Sequence, residues 1–412
     1  MTFLNKDFII RLIFCIIAPF YFPFKWLKKR RFNFTNINKI LVIAYNHGVG
    51  TYMLLTPMLK TLKINMPNCH ISILLSSETV RQMAENSKFV DEIIYNQKLP
   101  SLKMFEGKEF FRQSIAPKKF DLAISTIYET SSKNAFWAFF SGAPYRVGFN
   151  QDINSFLDTF SFKRDAINTH EIQRYLNMLR CLGINYLSDE LTLPEGGDAG
   201  HFVDIFLNRQ KVSPKDIILG IHPGAKKNWP QKIWPLQRFI KVASRFSDKF
   251  KTKVIFFGGP DEDEIFLKLA DSGDKFILAN KQTICQTAAL IKRCNIFLTN
   301  DSGLMHLAAA AKIPTVAIFG PTMETKNRPW NVPHIVVRKN LACSPCYNYE
   351  KLTCKQAKCL NMVSIDDVMS ALTRLYQDEV LTKRKSFNIR LSDRRIKFAD
   401  GHCPAIYRAN TP

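Results

Sequence analysis

Short β-branched runs alternate with helix-length stretches along this chain, and the alternation begins twice. The first series lies at 40–44 (Ile-Leu-Val-Ile-Ala), 71–75, 92–95 and 121–127. The second lies at 217–221, 253–257, 296–299 and 315–319. These runs are largely continuous in apolar residues rather than alternating, which predicts parallel strands buried on both faces. Strand–helix alternation of this kind predicts an α/β protein with two similar halves and a cleft between them. Residues 184–215 interrupt the pattern with Pro194, Gly196, Gly197 and Pro214, and read as an interdomain stretch carrying one short helix. The resulting division is 1–37, 38–195, 196–215, 216–378 and 379–412.

At 412 residues, 46% hydrophobic and 23% charged, the chain is long enough for two independent cores and is neither disordered nor fibrous. The formal charge of +23 calls for an anionic partner. Residues 1–40 hold eight Lys/Arg against one Asp, and 383–412 hold eight against two, so 13 of those charges sit in the terminal segments. The middle has no basic stripe interleaved with aromatics, which disfavours nucleic acid. Residues 8–24 form an aromatic-rich apolar segment broken by Pro19 and Pro23, ahead of Lys25, Lys28, Lys29, Arg30 and Arg31. The 13 residues between Arg11 and Lys25 are too few to span a bilayer, and the charge order is wrong for a cleaved signal. An interfacial anchor on an anionic cytoplasmic leaflet fits, at about 1 kcal/mol per basic residue. The 379–412 tail reads as mobile or surface-bound.

Three strand-to-helix turns carry the polar residues. The first is Tyr45-Asn46-His47-Gly48-Val49-Gly50-Thr51, whose glycines admit a ligand to the backbone. It lacks the third glycine of a dinucleotide fingerprint, and the second strand ends in Leu74-Leu75-Ser76-Ser77 without an acidic residue. Both points disfavour a nicotinamide-dependent oxidoreductase. The second turn, from His222-Pro223-Gly224 through Lys226, Lys227 and Lys232 to Trp234, offers lysines for a phosphate. The third, Asn300-Asp301-Ser302-Gly303 with His306 one turn into the helix, predicts exposed N–H groups that suit an anion such as a diphosphate.

In these turns and the segments around them, the chain resembles glycosyltransferase family 9, the bacterial ADP-heptose:lipopolysaccharide heptosyltransferases. The matching pieces are Leu55-Thr56-Pro57-Met58-Leu59, His222-Pro223-Gly224-Ala225, Lys232-Ile233-Trp234-Pro235, Phe257-Gly258-Gly259-Pro260, Asn300-Asp301-Ser302-Gly303 with His306, and Ile318-Phe319-Gly320-Pro321-Thr322. The resemblance spans about residues 38–375. It implies a GT-B fold, with two Rossmann-like α/β/α domains facing a central cleft. It further implies inverting, metal-independent transfer of heptose from ADP-heptose to the lipopolysaccharide inner core on lipid A, with no cofactor. Carried over, Lys232 contacts donor phosphate, Asp301, Ser302, Gly303 and His306 hold sugar and diphosphate, and Glu262 lies near the ribose. Gly50 belongs to the first turn of the same site. A membrane-embedded acceptor places the protein at the inner face of the cytoplasmic membrane.

One position departs from the family. Its first turn resembles Gly-x-Gly-Asp, with the aspartate as catalytic base, and this chain has Thr51 there. A threonine hydroxyl is no base at neutral pH without one of its own. His47, with an ordinary pKa of about 6.5, can substitute. Otherwise the base comes from elsewhere, the chain binds a nucleotide sugar without turnover, or it uses another sugar donor.

Four of the ten cysteines cluster as Cys343-x2-Cys346-x7-Cys354-x4-Cys359, the right count for a tetrahedral metal site at a spacing that matches no standard finger.

Overall fold

A computed structural model describes residues 27–99, 104–126, 133–149, 157–162, 169–225, 229–271, 273–346, 354 and 357–382. The apolar segment 8–24, Lys226, Lys227 and the tail from 383 onward lie outside the described residues.

Among the described residues, the strands form two six-stranded sheets. The first holds β1 (Lys39–Ile43), β2 (His70–Leu75), β3 (Glu92–Tyr95), β4 (Leu122–Ser125), β5 (Tyr145–Gly148) and β6 (Phe160–Ser161), in the order β3-β2-β1-β4-β5-β6. The second holds β7 (Ile218–His222), β8 (Lys253–Phe257), β9 (Ile277–Ala279), β10 (Ile296–Asn300), β11 (Thr315–Ile318) and β12 (His334–Val337), in the order β12-β11-β10-β7-β8-β9. Every pairing is parallel. Counted from its own first strand, the second sheet repeats the order of the first. In each, the chain starts in the middle, winds to one side and crosses back. The two switch points, β1/β4 and β7/β10, are where an open parallel sheet leaves a crevice for ligands.

All eight strands expected from the apolar runs are present within about two residues of their predicted ends. Four more, β5, β6, β9 and β12, were not expected. Each has four residues or fewer, and they close the flanks of the sheets with mostly half-buried or polar side chains in place of a continuous apolar run.

The helices are α1 (Val49–Asn65), α2 (Glu78–Glu85), α3 (Met104–Phe110), α4 (Lys133–Phe140), α5 (Glu171–Cys181), α6 (Ala199–Arg209), α7 (Leu236–Phe250), α8 (Asp263–Ala270), α9 (Ile284–Ile291), α10 (Gly303–Ala310) and α11 (Ile365–Leu375), with shorter turns between them. The interdomain stretch does carry one helix, α6, which packs on α9 through Val203 and Leu207. Helix α1 tolerates an internal proline. Pro57 has no N–H for the Met53 carbonyl, and the Thr56 hydroxyl donates to that carbonyl at 2.8 Å instead. The Thr-Pro pair of the sequence motif thus keeps a buried carbonyl satisfied and α1 continuous up to the cleft.

The halves meet where α1 packs on α10, and one apolar cluster runs through both, from Val42 and Leu55 to Leu290 and Leu307. A second fastening lies away from the cleft floor. The His170 ring stacks on Trp330 at 4.3 Å, and its Nδ1 accepts from Ile172 N–H, so Nε2 carries the proton donated to Arg328 O at 3.0 Å. Trp330 Nε1 and Asn331 Nδ2 both donate to Asp189.

Candidate active site

The turns singled out in the sequence converge at the two switch points, and the α1–α10 contact brings them together. After β7 the chain passes His222-Pro223-Gly224 and returns through a tight turn, Pro230–Lys232. Asn300, at the end of β10, anchors that excursion. Its Nδ2 donates to Pro223 O at 2.8 Å and to Gly224 O at 3.2 Å, while its Oδ1 accepts from Trp234 N–H at 3.1 Å. The fully buried Trp234 is held from its far side by Nε1 donating to Val363 O.

This anchoring delivers Lys232 to Asp301, with Nζ 2.7 Å from Oδ2. Asp301 is 5% exposed. Burial works to raise its carboxyl, but Lys232, with the Thr322 hydroxyl beside it, outweighs that and holds it below the usual carboxylate range. The Lys232 ammonium also lies 5.9 Å from the Trp229 ring centroid. A cation and an anion are therefore paired at the mouth of α10 before any ligand arrives.

Ser302 is the N-cap residue of α10, yet its hydroxyl makes no capping bond. It lies 2.8 Å from His222 Nδ1 and 3.0 Å from Thr299 Oγ1. The other ring nitrogen, Nε2, faces Glu262 Oε1 at 3.6 Å, and Glu262 Oε2 accepts from Gly259 N–H at 2.8 Å. Burial pushes the Glu262 carboxyl up, and His222 with the Gly259 N–H holds it below its ordinary value. Gly224 makes room for this carboxylate, since a Cβ there would lie 2.5 Å from Glu262 Oε1.

On the opposite wall, Thr51 sits at the third position of α1, and its hydroxyl is spent on the helix start. Oγ1 accepts from Gly48 N–H at 3.0 Å and donates to Gly48 O at 3.1 Å. His47 is 5% exposed, with Nε2 3.0 Å from Thr126 Oγ1. Thr126 gives its own proton to Ile43 O, so His47 Nε2 must be the donor and Nδ1 keeps the lone pair. Burial lowers His47 to a pKa of about 4. His306 is likewise buried and lowered to about 4, mainly by burial, with Asp301 opposing the shift. Both imidazoles are neutral at pH 7.

Gly50 and Gly303 make the two walls touch. A Cβ on Gly303 would lie 2.9 Å from Val49 Cβ and 3.1 Å from Gly50 N, and one on Gly50 would lie 3.2 Å from His306 Cδ2. The structure thus brings together Gly50, Lys232, Asp301, Ser302, Gly303 and His306, with Glu262 linked through His222 and with Thr51 one residue beyond Gly50. His47 stands behind this surface. Asn300, Thr299, Thr126 and Thr322 had no assigned role in the sequence. Asn300 and Thr322 lay inside quoted motifs, and what their side chains do depends on partners distant in the chain.

The four clustered cysteines are free thiols, from exposed Cys343 through partly buried Cys346 and Cys354 to buried Cys359. Burial, reinforced by the neighbouring thiols and above all Cys354, raises Cys346. Among the described residues, no three His, Cys, Asp or Glu side chains are grouped to hold a metal ion.

Two doubly wound halves, closed on each other at their switch points with polar turns facing the cleft, define a glycosyltransferase of the GT-B fold. Residues 110–356 match glycosyltransferase family 9 (heptosyltransferase), and the chain belongs to that family. It is 33% identical over 234 residues to lipooligosaccharide heptosyltransferase 2 of Campylobacter jejuni, covering 55% of this chain and 69% of the relative. It is 27% identical over 303 residues to lipopolysaccharide heptosyltransferase 2 of Escherichia coli K12, covering 69% and 83%. Among solved structures, the family 9 glycosyltransferase of Veillonella parvula superposes with a TM-score of 0.71 at 26% identity, covering 83% of this chain and 98% of that one. E. coli ADP-heptose lps heptosyltransferase II superposes at 0.64 with 23% identity over 83% and 99%, a likeness of fold.

Proposed function

We propose that this chain transfers a heptose from ADP-heptose to the inner core of lipopolysaccharide, with inversion and without a metal ion. The observation that carries the reading is the Lys232–Asp301 pair at the uncapped start of α10, in a chain whose relatives are named as heptosyltransferases. Lys232 and the free N–H groups of α10 receive the donor diphosphate, and at bond cleavage they take up the charge on the departing ADP, as a cation would elsewhere. Asp301 and neutral His306 accept and donate hydrogen bonds to the sugar. Glu262, fixed by Gly259 and His222, faces the ribose hydroxyls.

The acceptor hydroxyl needs a base, and here the base is His47. Lowered to about 4, its free Nδ1 has the basicity of an ordinary carboxylate, so it matches in strength the aspartate that Thr51 replaces. The demand on it is reach, because the ring is buried. A second reading follows from Thr51, whose hydroxyl is wholly engaged by Gly48. In that reading the chain binds the donor and does not turn it over.

The acceptor side faces an anionic membrane at the inner leaflet. Residues 27–31 are helical and carry Lys28, Lys29, Arg30 and Arg31. Phe32 packs this basic cluster onto the first sheet, edge-on to Tyr145 at 5.0 Å and to Phe160 at 4.9 Å. No helix among the described residues is long and apolar enough to cross a membrane.

Calorimetric titration with ADP-heptose tests the donor site. The native chain binds, while Lys232→Ala and Asp301→Ala weaken binding. Unchanged affinity in both variants would put the site elsewhere.

A further inference from the structure

Serine at a helix N-cap ordinarily turns its hydroxyl onto the N–H of the second or third helical residue. Ser302 does not, and the structure shows what diverts it. Three contacts run in a row: Thr299 Oγ1 to Asn300 O at 2.9 Å, Ser302 Oγ to Thr299 Oγ1 at 3.0 Å, and His222 Nδ1 to Ser302 Oγ at 2.8 Å. Ser302 Oγ is the middle member of this row, and on the far side of the ring His222 Nε2 lies 3.6 Å from Glu262 Oε1, whose other oxygen accepts from Gly259 N–H. The Ser302 hydroxyl is thus bound on both sides and kept off the helix.

We infer that His222 is a positioning residue that holds the start of α10 open for an anionic ligand. The N–H groups of Gly303, Leu304 and Met305 have no intrahelical acceptor, as in any first helical turn. A Ser302 hydroxyl in the capping position would occupy one of them and put its oxygen where a phosphate oxygen belongs. By binding Ser302 through Nδ1, His222 removes that competitor and leaves the donors to the ligand. The inference rests on the reading of α10 as the diphosphate site and extends it to His222, which acts on that site through Ser302.

The test is a double-variant cycle read by ADP affinity, with crystal structures of the variants. His222→Leu is expected to weaken ADP binding about tenfold, the size of one N-cap hydrogen bond, because Ser302 turns onto α10. In a Ser302→Ala background no competitor remains, and adding His222→Leu is expected to leave affinity within about twofold of that background. His222→Asn, whose side-chain amide can reach the Nδ1 position and hydrogen-bond Ser302, is expected to stay near native affinity although it loses the contact with Glu262. Crystals of His222→Leu are expected to show Ser302 Oγ on Leu304 N or Met305 N. Equal weakening by His222→Leu in both backgrounds, or a Ser302 hydroxyl still on Thr299 in that crystal, overturns the inference. If His222→Leu does not fold, His222→Gln loses the same Ser302 contact and is read in the same way. If the native chain binds no ADP, the donor reading fails, and the position of Ser302 in the variant crystal decides the positioning role by itself.

Discussion

Replacing Lys232 by methionine removes the partner of a carboxylate that has almost no solvent. Asp301 is 5% exposed, and the ammonium 2.7 Å away is the charge that keeps it ionised. Breaking a buried pair from one side costs about 3–5 kcal/mol, because the remaining charge is uncompensated. The lower end applies here, since the Thr322 hydroxyl stays beside Asp301. A loss of about 3 kcal/mol corresponds to a melting temperature lowered by roughly 6–12 °C for domains of this size. The pH dependence changes sign as well. In the native chain the carboxyl is lowered, so the pair contributes stability above the ordinary carboxyl value and loses it as pH falls through the lowered one. In Lys232→Met, burial alone acts and raises the carboxyl. The variant is then most stable at low pH and weakens as pH rises from the ordinary carboxyl value to the raised one. Melts from about pH 2 to pH 8 read both effects, the native loss below the ordinary carboxyl value and the variant's loss above it. Lys232→Met/Asp301→Asn leaves no buried charge and is expected to recover most of the lost stability while donor binding stays impaired. A single variant that loses less than about 1 kcal/mol, with native pH dependence and no recovery in the double, would refute the reasoning.

Further substitutions probe the remaining contacts. Gly303→Ala forces a methyl against Val49 and the Gly50 backbone, an overpacking of about 1–3 kcal/mol, and kcat/KM is expected to fall roughly 5- to 150-fold. Retained activity would mean that the walls need not approach this closely during transfer. Asn300→Leu leaves two carbonyls and the Trp234 N–H without their partner, and is expected to cost about 1–3 kcal/mol in denaturant melts and to raise the KM for donor. His47→Gln can keep an N–H toward Thr126 while removing Nδ1. Turnover should fall about 10²- to 10⁴-fold with ADP affinity unchanged, and normal turnover would place the base elsewhere. Thr51→Asp still accepts the Gly48 N–H and favours the helix start by about 0.3–1 kcal/mol. With His47 as the base, turnover is expected to stay near native, and a gain of about tenfold or more would show that the first turn lacks its base.

The fold was legible because most of the eight strands read from the sequence, such as Ile296–Asn300 and Thr315–Ile318, are buried along their whole length and leave nearly continuous apolar runs, a pattern that survives without any tertiary information. The four added strands were not, since Tyr145–Gly148 carries a buried arginine and a glycine in place of an apolar run, and Phe160–Ser161 is only two half-buried residues long. Motifs such as Asn300-Asp301-Ser302-Gly303 were legible as turns, since a polar segment between a buried strand and an Ala-rich helix has few other uses. Which side chains meet was not legible. The pairing of Lys232 with Asp301, the hold of His222 on Ser302, and the three bonds of Asn300 all join segments that only the sheet order brings together. Burial was equally hidden. His47 looked available as a base at its ordinary pKa, and the fold encloses it and lowers that value to about 4. Thr51 read as a missing carboxylate, and the structure adds that its hydroxyl closes the first turn of α1.

Transfer from ADP-heptose is read by measuring ADP released by the purified chain, with and without a lipid A–Kdo inner-core acceptor. Release is expected to depend on the acceptor, persist in EDTA and be lost in Lys232→Ala. Tight donor binding without acceptor-dependent release would contradict transfer in favour of a binding protein, and neither binding nor release would remove ADP-heptose as the donor.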